Sequence, residues 1–179
     1  MVRRGSGVRV PLWALTATTR RRVPDACAVV IDEHGLSAWS PTHSDAWIGL
    51  LEAHKALTRE LDAELEAAHG LSISSLELLS RLAVADERSL RLSTLADRCG
   101  LSLSRVSRIV DVLQHRGLVQ RRPCPVDRRA KNACLTDAGL DLLRTAQETH
   151  FTGVQQRFFD RLQPREIATL AAVFARFAS

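Results

Sequence analysis

Between Ser102 and Asp111 the sequence reads SLSRVSRIVD, and its hydroxyls and guanidiniums recur at helical spacing. In a helix, Ser102, Ser104, Arg105, Ser107, Arg108 and Asp111 fall on the outward side, while Val106 and Ile109 turn inward. Serine and arginine are suited to phosphate oxygens and base edges, and one arginine can grip guanine through two hydrogen bonds. A second group of cations follows: Arg121, Arg122, Arg128, Arg129 and Lys131, with Asp127 the lone acid, expected to pair with a neighbouring arginine and shape its loop. Residues 92–131 hold nine Lys/Arg against three acids, whereas residues 45–90 hold four against nine. One concentrated basic segment in a chain of net charge +5 points to a polyanion partner. Arginine outnumbers lysine 23 to 2, which reflects coding bias as much as chemistry and decides nothing.

Catalytic constellations are missing. The six histidines are scattered, and no HExxH, GxSxG, phosphate-binding loop or paired-glycine dinucleotide motif occurs. Cys27, Cys99, Cys124 and Cys134 include no CxxC pair, so the sequence calls for no metal and no cofactor. The chain is long enough to build its own core without disulfides, and no apolar run approaches the ~18–20 residues of a membrane span. A reduced, cytoplasmic protein is expected.

The elements that must hold the cations follow from periodicity. Trp47, Leu50, Leu51, His54, Leu57, Leu61 and Leu65 form one stripe of a helix over about 45–69, stopped at Gly70. Ser72 or Ser74 caps a second helix carrying Leu76, Leu78, Leu79 and Leu82. Residues 85–91 read as a polar connection, then Leu92–Cys99 as a short helix. Ser102 or Ser104 caps the next, which Gly117 ends. Ala96 suits the crossing of these two helices, Gly100 the turn between them, and Leu95, Cys99, Leu101, Val106 and Ile109 the buried side. This is a helix-turn-helix over about 92–116. Residues 118–122 and 132–136 read as strands around a proline-containing loop, a basic β-hairpin that makes the motif winged. Thr136 caps a long helix with Leu140, Leu143, Ala146, His150, Val154, Phe158 and Leu162 on one stripe, and Pro164 opens a last helix.

Residues 1–42 show no sustained period. They hold Gly5, Gly7, Pro11, Pro24, Gly35 and Pro41, and residues 1–22 carry six arginines and no acid. Arg3-Arg4 and Leu12–Ala17 sketch an export signal, but the apolar stretch is short and its flanking charge wrong. A poorly ordered basic arm is expected. Its lack of pattern also fits a coding start placed upstream of the folded body.

The motifs His69-Gly70-Leu71-Ser72, Leu95-Ala96 to Ser107-Arg108, Gly117-Leu118-Val119, Asp127-Arg128-Arg129 and Leu135-Thr136-Asp137-Ala138-Gly139 resemble those of MarR-family transcriptional regulators. The resemblance covers about residues 45–179, within a domain expected over 43–179. It implies a mainly α fold with a small β-hairpin, a winged helix-turn-helix with terminal dimerisation helices over about 45–69 and 137–178. It also implies a homodimer on a pseudo-palindromic operator in double-stranded DNA, acting as a repressor released by a small phenolic or other amphipathic effector. The DNA-contact candidates are Ser102, Ser104, Arg105, Ser107, Arg108, Arg128, Arg129 and Lys131, with Arg105 and Ser104 first for base edges. An effector pocket above the helix-turn-helix would draw on Trp47, His54, Leu78 and His150, although such stripe positions are more often core. Two alternatives stand beside this reading. One is a winged-helix adaptor that uses the same surface for protein contacts. The other is a redox-responsive regulator using Cys27, Cys124 or Cys134, where arginine neighbours favour the Cys124 thiolate.

Overall fold

The computed structural model describes residues 29–123 and 131–177. The chain divides into two units, residues 1–53 and 54–179. No helix among the described residues is long and apolar enough to cross a membrane.

In the first unit, β1 (Val29–Ile31) and β2 (Ser37–Trp39) pair antiparallel, with Val29 opposite Trp39 and Ile31 opposite Ser37. Asp32 makes the turn: its carboxylate accepts from the amides of His34 at 2.9 Å and Leu36 at 2.8 Å, and Gly35 takes φ +76°. This hairpin lies inside the segment expected to lack structure. Three-residue strands are too short to show a period, and the aspartate turn is its only local signal. Helix α1 (Pro41–His69) follows immediately, starting before the expected Asp45 because Pro41 suits a first helical position, where no amide partner is needed.

The second unit holds the core. Leu61 and Leu65 of α1 are buried, and Gly70 ends the helix with φ +61°. Ser72 caps α2 (Ile73–Ala83), its hydroxyl accepting from the Ser75 amide at 3.1 Å. Leu78, Leu79 and Leu82 of α2 pack fully buried against Leu95, Val106, Val110 and Leu113. These belong to α3 (Leu92–Cys99) and α4 (Leu103–His115), the two helices of the helix-turn-helix.

The segment 85–91 is more than a connection. A 3-10 turn at Asp86–Arg88 leads into β3 (Ser89–Arg91), which pairs antiparallel with β5 (Lys131–Leu135). On its other side β5 pairs with β4 (Val119–Pro123), so the wing is a three-stranded sheet in the order β3-β5-β4. Pro123 ends β4 inside the ladder, tolerated because β4 is an edge strand. Thr136 joins the sheet to α5 (Asp137–Arg157): its hydroxyl accepts from the Gly139 amide at 3.0 Å and lies 2.8 Å from the Gly117 carbonyl. Gly139 packs so closely that a Cβ there would stand 2.1 Å from the Leu118 carbonyl oxygen. Gly153 plays the same part farther along, where a Cβ would meet the Glu64 carboxylate at 2.6 Å and Leu61 at 2.8 Å.

Helix α5 stops at Arg157 rather than continuing through Leu162. Phe158 leaves helical geometry at φ −120°, a 3-10 turn spans Phe159–Arg161, and Pro164 opens α6 (Pro164–Phe174). No residue of α6 is buried.

Candidate nucleic-acid interface

The turn between α3 and α4 is fixed by backbone chemistry. Gly100 sits in the left-handed region at φ +61°, and the Leu101 amide returns to the Ala96 carbonyl at 3.0 Å. Ala96 is nearly buried, small enough for α3 to sit close to its neighbours. Ser102 caps α4 by accepting from the Arg105 amide at 3.3 Å. The buried line of α4 is Val106, Val110 and Leu113. At roughly 100° per residue, Ser104 and Arg108 lie on the opposite side, and both are exposed.

The candidate contacts thus divide. Ser102 is exposed, but its oxygen is engaged in capping and lies 3.2 Å from the Ser104 hydroxyl. Arg105 is exposed on the flank and donates to the Ser74 hydroxyl at 3.4 Å. Arg108 has no hydrogen bond or ion pair to another side chain among the described residues. Ser107 is half-buried, and Arg121 occupies its hydroxyl at 2.9 Å and its carbonyl at 3.0 Å. Lys131 is exposed at the start of β5. Arg128 and Arg129 lie outside the described residues, as do Asp127 and Cys124.

Arg121 departs from its place among the wing cations. Its guanidinium turns to α4, donating to the Asp111 carboxylate as well as to Ser107, and only a quarter of its side chain is exposed. It braces the wing against α4. The sequence signal was Asp111 itself, a single acid on a helix face otherwise made of serine and arginine. Arg122 remains exposed and, among the described residues, reaches Gln120 of its own strand at 3.3 Å. A second brace lies behind the helix-turn-helix: Arg116, just past the end of α4, donates to the carbonyls of Gly70 and, at 2.8 Å, His69. His69 in turn meets the Thr149 hydroxyl at 2.7 Å, tying α1 to α5.

The four pocket candidates differ in setting. Leu78 is wholly enclosed in the core. Trp47 is 54% exposed and His54 is exposed on α1. His150 lines a cleft of about 470 Å³ between α2 and α5, with Leu76, Ser80, Gln147 and Phe151 among the walls. Its Nδ1 is buried without a hydrogen-bond partner. Burial lowers its pKa, and the Glu64 carboxylate opposes that shift in part.

Cys99 is half-buried rather than fully enclosed, and burial followed by the charge of Glu77 raises its thiol pKa. Cys134 is buried in β5 with its sulfur 3.2 Å from the Ser89 hydroxyl. Cys27 lies outside the described residues.

A sequence model of the MarR family matches residues 69–130. The uncharacterised HTH-type transcriptional regulator YdgJ of Bacillus subtilis is 32% identical over 94 residues, a match that spans 52% of this chain and 56% of that protein. The crystal structure of Sco3205, a MarR-family regulator from Streptomyces coelicolor in complex with DNA, superposes with a TM-score of 0.74 at 33% identity, covering 79% of this chain and 92% of that one. AbsC, another MarR-family regulator from Streptomyces coelicolor, gives a TM-score of 0.72 at 30% identity over 79% and 95%. These relatives are transcriptional regulators rather than enzymes. The chain belongs to the MarR family of DNA-binding transcriptional regulators.

Proposed function

We propose that two copies of the chain bind a pseudo-palindromic operator and repress transcription until a small amphipathic effector releases them. The observation that carries the DNA contact is the exposed Ser104–Arg108 face of α4, held to the wing through Arg121 and Asp111. The N-terminal turns of the second helix of such a motif meet base edges, and the flanking cations meet phosphate. Arg108 reads a base. Lys131, together with Arg128 and Arg129 at the wing tip, contacts the backbone. Ser104 assists at the groove edge, while Ser102, Arg105 and Ser107 position the helix.

Uncovered apolar side chains support the homodimer. Trp47, Leu50 and Leu51 in the first unit, and Phe159, Phe174 and Phe177 in the second, are each at least 36% exposed. A two-fold partner would cover them and set two α4 helices about one DNA turn apart, ~34–36 Å. The effector enters the cleft beside His150, where Leu76, Val84 and Phe151 with the polar Ser80 and Gln147 suit an amphipathic molecule. It releases DNA only if it binds the DNA-incompetent state more tightly.

Selection from a random-sequence DNA library, followed by fluorescence anisotropy with scrambled competitor, tests this reading. A recurrent inverted repeat whose binding resists scrambled DNA supports it. Binding that scrambled DNA displaces equally well points instead to a winged helix that serves a protein partner.

A further inference from the structure

Leu103 is the first residue of α4, between the cap Ser102 and the exposed Ser104. Its helix buries Val106, Val110 and Leu113, yet Leu103 stands 53% exposed. It lies one turn before Ser107, on a flank of the helix between the buried line and the exposed Ser104–Arg108 face, and in the N-terminal turn that such motifs present to base edges. Every other exposed side chain of this first turn is polar. Water gives an isolated leucine there no stabilisation. The floor of the major groove offers one apolar group, the C5-methyl of thymine.

We propose that Leu103 reads a thymine C5-methyl in the operator half-site and sets base preference at a position that Arg108 does not reach. This rests on the DNA-binding reading above. The division is chemical: Arg108 supplies hydrogen bonds to a purine edge, while Leu103 supplies an apolar contact to a neighbouring pyrimidine. Val112, equally apolar and 60% exposed but near the far end of α4, provides a control.

The experiment uses the full chain and the operator found by selection, amplified in vitro so that it carries no 5-methylcytosine. Deoxyuridine replaces thymine at one position of each half-site at a time, which removes only the methyl. Binding is read by anisotropy for the wild type, Leu103→Ala, Leu103→Met and Val112→Ala. At one position the wild type should bind the deoxyuridine operator about four-fold more weakly, the worth of one buried methyl. Leu103→Ala should show a similar loss on the thymine operator and no further loss with deoxyuridine. Leu103→Met and Val112→Ala should discriminate as the wild type does. Indifference of the wild type to deoxyuridine at every position overturns the proposal while leaving specific DNA binding intact. So does full methyl sensitivity in Leu103→Ala. If the wild type binds no DNA specifically, both readings fall together.

Discussion

The helix-turn-helix and the end of the chain treat their apolar residues in opposite ways. Around α2, α3 and α4 every core leucine finds cover: Leu78, Leu79, Leu82 and Leu95 are fully buried, and the helix ends are closed by Ser72, Ser102, Gly100 and Thr136. In α6, Ile167, Leu170 and Val173 are only half-covered, while Phe174 is 45% exposed and Phe177, just beyond it, 78%. Both regions carry amphipathic helices of similar design. One closes its leucine core within a single chain, and the other leaves its aromatic side chains exposed. The contrast separates a preformed reading head from a region whose exposed apolar side chains the proposed homodimer would cover.

The largest effect is expected where the complete region has no slack. Gly139→Ala places a methyl against the Leu118 carbonyl, which cannot move without disturbing β4 and the Thr136 cap. Urea unfolding should show a loss of about 3 kcal/mol. A loss below about 1 kcal/mol would mean that the joint between wing and α5 is looser than its geometry indicates.

On the other side of the comparison, Phe174→Ser removes no intramolecular core contact. Its effect on the unfolding of a dilute monomer should stay within about 0.5 kcal/mol. Sedimentation should show dimer dissociation about ten-fold easier, as for a residue central to an interface. A large monomer effect with unchanged association would erase the distinction between the two regions.

Within the reading head, two cations should fail differently. Arg108→Ala should cost about 1–3 kcal/mol of operator binding and relax base preference at one position. Lys131→Ala should weaken all sequences alike and lower the salt slope by about one. Identical profiles for the two variants would remove the separation between base reading by α4 and backbone contact by the wing.

The smallest effect concerns His150. Its folded pKa lies below the ordinary 6.5 because burial disfavours the charged ring. The unfolded chain therefore takes up the proton first, so this contribution to stability is complete above 6.5 and is lost as pH falls from there toward the folded value. Denaturation midpoints measured on both sides of that pH should show a steeper acid loss in the wild type than in His150→Gln. A ligand that fills the cleft and accepts a hydrogen bond from His150 should reduce the difference.

The reading head was legible because its constraints are local. A glycine at the turn, serine and threonine at helix starts, and leucines at three- and four-residue steps determine α2 through α5 almost without tertiary information. What escaped the sequence depends on partners distant in the chain. Ser89-Leu90-Arg91 becomes a strand only because β5 lies beside it, and three residues carry no period. The β1–β2 hairpin is local, but its three-residue strands likewise carry no period. Arg121 resembles any wing cation until Asp111 and Ser107 are brought to it. Arg105 stays exposed on α4, and its 3.4 Å contact to the Ser74 hydroxyl, thirty-one residues earlier, is likewise invisible in the one-dimensional pattern. Leu78 and His150 both sit on helical stripes that could form a pocket, and only packing shows that one is core and the other lines a cleft.

In the proposed dimer, two copies present paired α4 helices to one operator. Inserting five base pairs between the half-sites of the selected operator tests it most directly, since about half a helical turn puts the second half-site on the opposite face of the duplex. Affinity should fall to that of a duplex with one half-site, and inserting a full turn should fail to restore it in a rigid dimer. Unchanged affinity with the five-base-pair insertion would contradict it, because the two recognition helices would then not be held by a common symmetric body.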